Sequence, residues 1–236
     1  MSIDEIKSRL INDGIADVGF SVIPQELHIA LPVQGLFNAI TLVVRMNDVI
    51  IDQIDKKPTY AYYHSYRTVN MFLDLTAFRL CEEIRREGYR SFPIAASQSV
   101  HHLEDPYTGL FSHKTGAVLS GLGFIGKSAL FIHREHGPRV RLATVLTDMP
   151  LPKALPKMEC RCKDCMVCTS LCPANAIKGV LPGDDICRDD LIDAEKCSSY
   201  MKMANKDVGR GAVCGICVSK CVYSKNIGVP NINKKD

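Results

Sequence analysis

The run Cys162-x2-Cys165-x2-Cys168-x3-Cys172-Pro173 constrains this chain more than any other feature. Its spacing is that of the bacterial ferredoxin-type loop around a four-iron, four-sulfur core. Three thiolates in a tight loop reach three corners of one cubane. The fourth, a short turn further on, points away and cannot close the same core without strain. It therefore serves a second core, and a second set supplies the missing ligands: Cys197, then Cys214-x2-Cys217-x3-Cys221. The exchange pattern of two-cluster ferredoxins assigns Cys162, Cys165, Cys168 and Cys221 to one 4Fe–4S cluster, and Cys172, Cys197, Cys214 and Cys217 to the other. A zinc ribbon accounts for four cysteines, but not for eight in this order followed by Ala176-Ile177. Three cysteines are left over. Cys81 falls in a helical pattern and reads as a small buried apolar side chain. Cys160 is out of spacing, and Cys187 is a weaker substitute for Cys197.

Redox compartment follows from the same count. Eleven cysteines in 236 residues are ill suited to disulfides where thiols stay reduced, and metal ligation is the better use. The opening MSIDEIKSRL has no apolar core of a secretory leader, and no stretch has the length of a membrane span. A cytoplasmic protein with no membrane partner is expected. The net charge is only +3 and no like-charged block occurs, so the electrostatic footprint of a dedicated nucleic-acid binder is missing.

Upstream, Ser2 and Glu5 form a capping box ahead of Ile3, Ile6 and Leu10, with Gly14 as the stop. Ile40–Met46 is a β-branched run that reads as a buried strand. Thr68–Glu87 carries the longest helical pattern, with Gly88 ending it. Ser91–Ala96 reads as a strand, Ser112–Ser120 as a helix, and Ala129–His133 and Val140–Thr147 as two strands. The order α, β, α, β, α, β, β predicts an α+β layer rather than a doubly wound sheet. Three prolines in Pro150–Lys157 mark a boundary, and all cysteines but Cys81 lie beyond it. The expected division is 1–155, an α+β cofactor and substrate domain, and 156–236, a small ferredoxin-like domain.

Gly121-x-Gly123-x-x-Gly126, with Asp148 further on, satisfies a dinucleotide-binding pattern in letters only. That motif needs a strand before it and a helix after it, so that the helix N-terminus faces a pyrophosphate. Here a helix precedes and a strand follows, which predicts a helix-to-strand loop and argues against NAD. The glycines then serve positive φ or a close backbone approach, including approach to a flat cofactor. Lys127 would meet a phosphate or carboxylate of such a cofactor. Tyr60–Arg67 (YAYYHSYR) gathers aromatics with His64 and Arg67, either as a cofactor-facing pocket wall or as rings packed under a loop. His113-Lys114 falls at a helix start, where an anion contact and a plain surface role are both open.

Three segments carry a family resemblance: Ser120–Ser128 is similar to AGLGWIGKN, Cys197-Ser-Ser-Tyr200 to C-x-S-Y, and Leu146–Leu151 to the end of a family strand. With the two cysteine sets, they make the chain resemble the epoxyqueuosine reductases and, more distantly, the corrinoid reductive dehalogenases. The resemblance implies a nitroreductase-like, cobalamin-binding domain followed by the two-cluster ferredoxin-like domain. It implies a reductase whose clusters feed electrons to cobalamin, with FMN as the alternative flat cofactor. An electron-transfer or reductive-activator protein serving a partner is the other functional reading. The family's general-acid Asp aligns near Tyr107, with Asp105 slightly upstream, so these two are the candidate catalytic residues. Implied partners are an external donor of flavodoxin or ferredoxin type and a small-molecule or modified-nucleoside substrate, with tRNA by family analogy. The chain stops fifteen residues after Cys221, where longer members carry a helical extension associated with tRNA.

Overall fold

The computed structural model describes residues 2–98, 100 and 107–224. In chain order the elements are α1 (Ile3–Asn12), β1 (Asp17–Val22), β2 (Asn38–Arg45), α2 (Asp48–Asp52), α3 (Tyr60–Arg86), β3 (Ser91–Ile94), α4 (His113–Leu119), β4 (Gly123–Ile125), β5 (Phe131–His133) and β6 (Val140–Thr147). Four short helices follow: α5 (Val167–Ser170), α6 (Arg188–Leu191), α7 (Ala194–Ala204) and α8 (Ile216–Lys220).

The capping box forms as its spacing predicts: the Ser2 hydroxyl accepts from the Glu5 amide at 3.2 Å, and the Glu5 carboxylate accepts from the Ser2 amide at 2.7 Å. Asp17–Val22 was not marked as a strand by its residues, because Gly19 and two polar positions interrupt its pattern. Pairing makes it one, antiparallel to β2 with Asp17 opposite Val43 and Val22 opposite Asn38. The sheet runs β1-β2-β6-β3, and β3 is antiparallel to β6. Strand periodicity then sorts β2 onto two faces. Ile40, Leu42 and Val44 join Ile6 and Leu10 of α1 and Leu73, Leu80 and Ile84 of α3 in one core. Ala39 belongs to a second cluster with Ile23, Leu36 and Leu146. α4 lies on that second side, where a methyl at Gly116 would come 2.6 Å from Thr41 Oγ1.

α3 begins eight residues earlier than its apolar pattern suggests. Thr59 is the reason: its hydroxyl accepts from the Tyr62 amide at 3.1 Å and its carbonyl from the Tyr63 amide at 3.1 Å. The aromatic run is therefore the first turns of the helix rather than a loop before it. Glycine context at the nucleotide-like motif agrees with the helix-to-strand reading, since α4 precedes it and β4 starts at Gly123.

Two compact units result. One comprises Met1–Arg45, Tyr66–Leu122 and Arg141–Met158; the other comprises Met46–Ser65, Gly123–Val140 and the chain from Glu159. The packing thus changes sides at five points rather than at one boundary between 155 and 156. Apolar supply explains this. After residue 159 the buried apolar side chains are few and wholly aliphatic, among them Ile177, Leu191 and Ile216. The second unit completes a core by adding Ile51, Ile54 and Tyr62 from one segment, and Phe124, Phe131 and Ile132 from the β4–β5 hairpin.

Candidate functional site

Within the second unit the cysteines sit on short elements fixed by local bonds. The Cys165 amide donates to the Cys162 carbonyl at 2.9 Å, closing the first ligand turn, and Cys168 lies on α5. The Ala176 amide donates to Cys172 Sγ at 3.4 Å. Ala176 is fully buried, which accounts for the Ala-Ile pair after the cysteine-proline. Cys197 lies on α7, whose N-cap Asp193 accepts from the Lys196 amide at 2.9 Å. Cys214 precedes α8, Cys217 lies on it and Cys221 caps its end. That helix is held by Ser219 Oγ donating to the Ile54 carbonyl at 2.9 Å and by Lys220 paired to Asp55 at 2.7 Å. Beyond Cys221, the Tyr223 hydroxyl donates to the Arg161 carbonyl at 2.8 Å, clasping the tail to the first cysteine loop. Buried Arg139 binds Ser224 Oγ at 2.6 Å, Asp48 at 3.0 Å and Asp52 at 2.5 Å.

Burial, with neighbouring thiols adding to it, raises several of these cysteines. Burial, then the charges of Cys214 and Cys172, pushes Cys197 up to about 11. Burial raises Cys217 further, with Cys214, Cys197 and Cys172 adding to it and Cys168 acting last. Burial also pushes Cys221 up to about 12; the Tyr223 amide opposes this, while Cys162, Cys168 and Cys165 add to it. Cys168 is raised by burial and in turn by Cys162 and Cys165. Cys221 thus feels Cys162, Cys168 and Cys165, and Cys197 feels Cys214 and Cys172, while Cys168 also reaches Cys217 and Cys162 also reaches Cys160. A small recess, partly open to solvent, is lined by Cys162, Cys165, Cys168 and Cys221 together with Gly126, Lys127 and Tyr223. Among the described residues, no three His, Cys, Asp or Glu groups converge on a single-ion site. Thiolates are the donors that iron–sulfur cores take, and eight of them are carried here by α5, α7, α8 and the turns beside them.

The glycine segment closes on the chain itself. Gly121 has φ +72°, and a methyl there would lie 2.7 Å from the carbonyl oxygens of Leu155 and Pro156. Gly123 is pressed on the Ile132 carbonyl across the β4–β5 pair. A methyl at Gly126 would lie 3.4 Å from Cys162 Sγ. The close backbone approach expected of these glycines is made to protein, and it leaves no open face for a flat cofactor at Gly121 or Gly123. Lys127 lies in the wall of the cysteine recess. His64 and Arg67 are exposed on α3. Tyr107 is 40% exposed, and Asp105 lies outside the described residues.

In the first unit a polar cluster appears that the residue pattern did not single out. The Arg141 guanidinium sits 4.3 Å from the Tyr66 ring centroid, and it donates to Asn70 Oδ1 at 2.9 Å and to the Ala96 carbonyl at 3.1 Å. The Tyr66 hydroxyl meets Ser97 Oγ at 3.3 Å. Burial alone would raise this phenol, but the Arg141 charge and bonds involving Ser97, Asn70 and Arg141 outweigh it and hold it below the usual tyrosine range. His113 is no surface residue: it bridges Thr144 Oγ1 and the Ala95 carbonyl, each at 2.9 Å, and burial lowers its pKa to about 4. The available signal was helical phase. Tyr62, Tyr66, Asn70 and Leu73 share the inward stripe of α3, whereas His64 and Arg67 fall on the outward one.

Comparison with known proteins shows which folds and sequences the chain is similar to. The chain superposes on a reductive dehalogenase with a TM-score of 0.74 at 19% identity, over 95% of this chain and 32% of that one; the work on that structure addresses B12-dependent dehalogenation. An epoxyqueuosine reductase structure gives 0.61 at 18% identity, over 94% and 65%. By sequence the chain is similar to the epoxyqueuosine reductase of Aliivibrio fischeri, 30% identical over 160 residues, which are 65% of this chain and 37% of the relative. It is also similar to a tetrachloroethene reductive dehalogenase of Desulfitobacterium hafniense, 33% identical over 46% of this chain and 21% of that enzyme. Both relatives are oxidoreductases. The chain spans between a quarter and somewhat over a third of the curated epoxyqueuosine reductases it matches best, at 37%, 26% and 36%. No family model matches it. Among the described residues, no helix is long and apolar enough to cross a membrane.

Proposed function

We propose that this chain is an iron–sulfur oxidoreductase that carries two 4Fe–4S clusters and passes electrons singly to a low-potential acceptor, a corrinoid. The observation that carries the reading is the ferredoxin-type spacing of the eight cysteines, with Cys162, Cys168 and Cys165 acting on Cys221, and Cys214 and Cys172 acting on Cys197. Cys162, Cys165, Cys168 and Cys221 would hold one cluster; Cys172, Cys197, Cys214 and Cys217 would hold the other. When bound, such clusters supply one-electron chemistry at low potential. The protein's own part is then to keep the ligand turns fixed through α5, α7 and α8, and to neutralise charge near them. A reduction that forms a C–H bond also needs a proton. Tyr66 is the group we propose for it, because Arg141 acidifies its phenol. An external flavodoxin- or ferredoxin-type donor and a small-molecule or modified-nucleoside substrate complete the reading.

The corrinoid itself rests on the likeness to epoxyqueuosine reductases and reductive dehalogenases. Gly121 and Gly123 offer it no cradle, so no step is drawn through it. That same packing favours a second reading, in which the chain is an electron carrier for an acceptor held by a partner protein. Iron, sulfide and cobalt analysis of anaerobically purified chain, before and after incubation with cobalamin, separates the two. About eight irons with stoichiometric cobalt supports the corrinoid reductase. Eight irons without cobalt supports the carrier, and iron well below four would sink both.

A further inference from the structure

Lys127 is only 6% exposed, a rare condition for a lysine. It stands at the tip of the β4–β5 hairpin, where the Ala129 amide donates to the Gly126 carbonyl and the Gly126 amide to the Leu130 carbonyl, each at 2.9 Å. Its Nζ donates to the thioether of Met166 at 3.6 Å. A thioether is a weak, uncharged acceptor and cannot balance a buried ammonium. Among the described residues, Lys127 forms no ion pair with a carboxylate. What the ammonium does share is the recess lined by Cys162, Cys165, Cys168 and Cys221. The preceding residue, Gly126, lies beside Cys162, whose Sγ would be in ordinary contact, 3.4 Å, with a methyl placed there.

We propose that Lys127 is the counter-charge of the cluster held by Cys162, Cys165, Cys168 and Cys221, and that it raises the reduction potential of that cluster. Taking up one electron from a reductant such as dithionite adds one negative charge to the four-iron core, with no bond broken and no proton required. A fixed positive charge beside the core stabilises the reduced form more than the oxidised one, and cluster potentials respond to net local charge. Met166 acts as a neutral rest for the side chain, and the Lys127 charge reaches the cysteine loop, where it is felt by Cys160 two residues before Cys162. The inference rests on the two-cluster reading. Lys127 is a positioning residue rather than a catalytic one, since it contributes charge and not a transferred group.

The test is a spectroelectrochemical titration, followed by electron paramagnetic resonance, of the reconstituted full chain and its Lys127→Met and Lys127→Arg variants. Methionine keeps the length and removes the charge; arginine restores it. The expected result is that one of two one-electron waves moves to lower potential in Lys127→Met by at least a tenfold change in the reduced-to-oxidised ratio, ~59 mV for one electron. The other wave stays in place, and Lys127→Arg recovers most of the shift. Loss of about four irons in Lys127→Met alone, retained in Lys127→Arg, would support the same pairing through cluster stability. Full iron with both waves unmoved overturns the inference and leaves the two-cluster reading intact. Equal iron loss in both variants overturns it as a charge effect. An unsubstituted chain that binds no clusters overturns the inference and the reading together.

Discussion

Cys172 follows Cys168 by four residues, yet the thiols that feel it are Cys197, Cys214 and Cys217. Cys221, fifty-odd residues away, is raised by Cys162, Cys168 and Cys165, and we propose it as their fourth ligand. Paired substitutions turn this exchange into a count. Each complete set holds about four irons, so the unsubstituted chain should hold about eight. Removing Cys162 and Cys221 together breaks one set twice and should leave about four irons. Removing Cys162 and Cys172, neighbours in sequence, breaks both sets and should leave close to none. Cys172 with Cys217 should again leave about four. Alanine is the replacement of choice, because a serine oxygen can stand in as a ligand. Iron and sulfide per chain after anaerobic reconstitution, with the spectrum of the dithionite-reduced sample, give the readout. If the Cys162/Cys172 double variant keeps a full cluster while the Cys162/Cys221 variant loses both, the sets follow sequence order and the exchange is wrong.

Three further outcomes follow from the same geometry. Burial holds His113 neutral, with its pKa lowered from 6.5 to about 4. The unfolded chain takes up this proton first as pH falls, so the contribution is complete above pH 6.5 and is lost on the way down to 4. It amounts at most to about 3 kcal/mol; urea unfolding at pH 7 and 4.5 should show a smaller pH difference in His113→Gln than in the parent, and equal differences would refute the assignment. Arg139→Ala removes the fork that joins Ser224 to Asp48 and Asp52, and should cost about 2–3 kcal/mol, with the partly exposed carboxylates rescued by water. Its secondary effect should be easier loss of iron from the Cys221 set, seen as faster chelator extraction, and lysine should not restore it. With Cys197 raised to about 11 and Cys221 to about 12, the empty sites hold protons at neutral pH that loading must displace. Reconstitution should therefore improve from pH 6.5 to 8.5, by about tenfold in affinity per pH unit for each proton released; a flat profile would contradict the raised thiols.

Spacing is the ground on which the cysteine sets are proposed, because it limits which thiols a short loop can bring together. Capping chemistry made α1 and α4 legible: Ser2 and Ser112 both accept from the amide three residues on. What stayed hidden depended on tertiary pairing. β1 is a strand because β2 lies beside it, and neither Gly19 nor Asp17 announces that. The start of α3 was masked by a run of tyrosines, whose helix propensity is indifferent and whose inward stripe emerges only once Thr59 sets the phase. Arg141 reads as an ordinary strand residue until the helix places Tyr66 and Asn70 beside it. The division into units was also out of reach, since it reflects a shortage of apolar side chains after residue 159 that other segments make good.

The segment from Gly121 to Lys127 shows how a familiar pattern can serve a different physical end. In a dinucleotide site its glycines would thin the backbone so that a pyrophosphate could approach. Here the first two allow an approach to the protein, Gly121 to Leu155 and Pro156 and Gly123 to Ile132, while Gly126 packs against the Ile132 side chain with Cys162 in ordinary contact. The first closes a turn at positive φ, the second lets a three-residue strand pair tightly, and the third sits in the hairpin turn. Only after the third does a charge appear, and it is buried beside four cysteines rather than offered to solvent. The order of the residues thus matches a sequence of tasks in which close packing comes first and electrostatics last. A lysine delivered by a rigid hairpin keeps its charge at a fixed distance from its target, which a lysine on a mobile loop would not do.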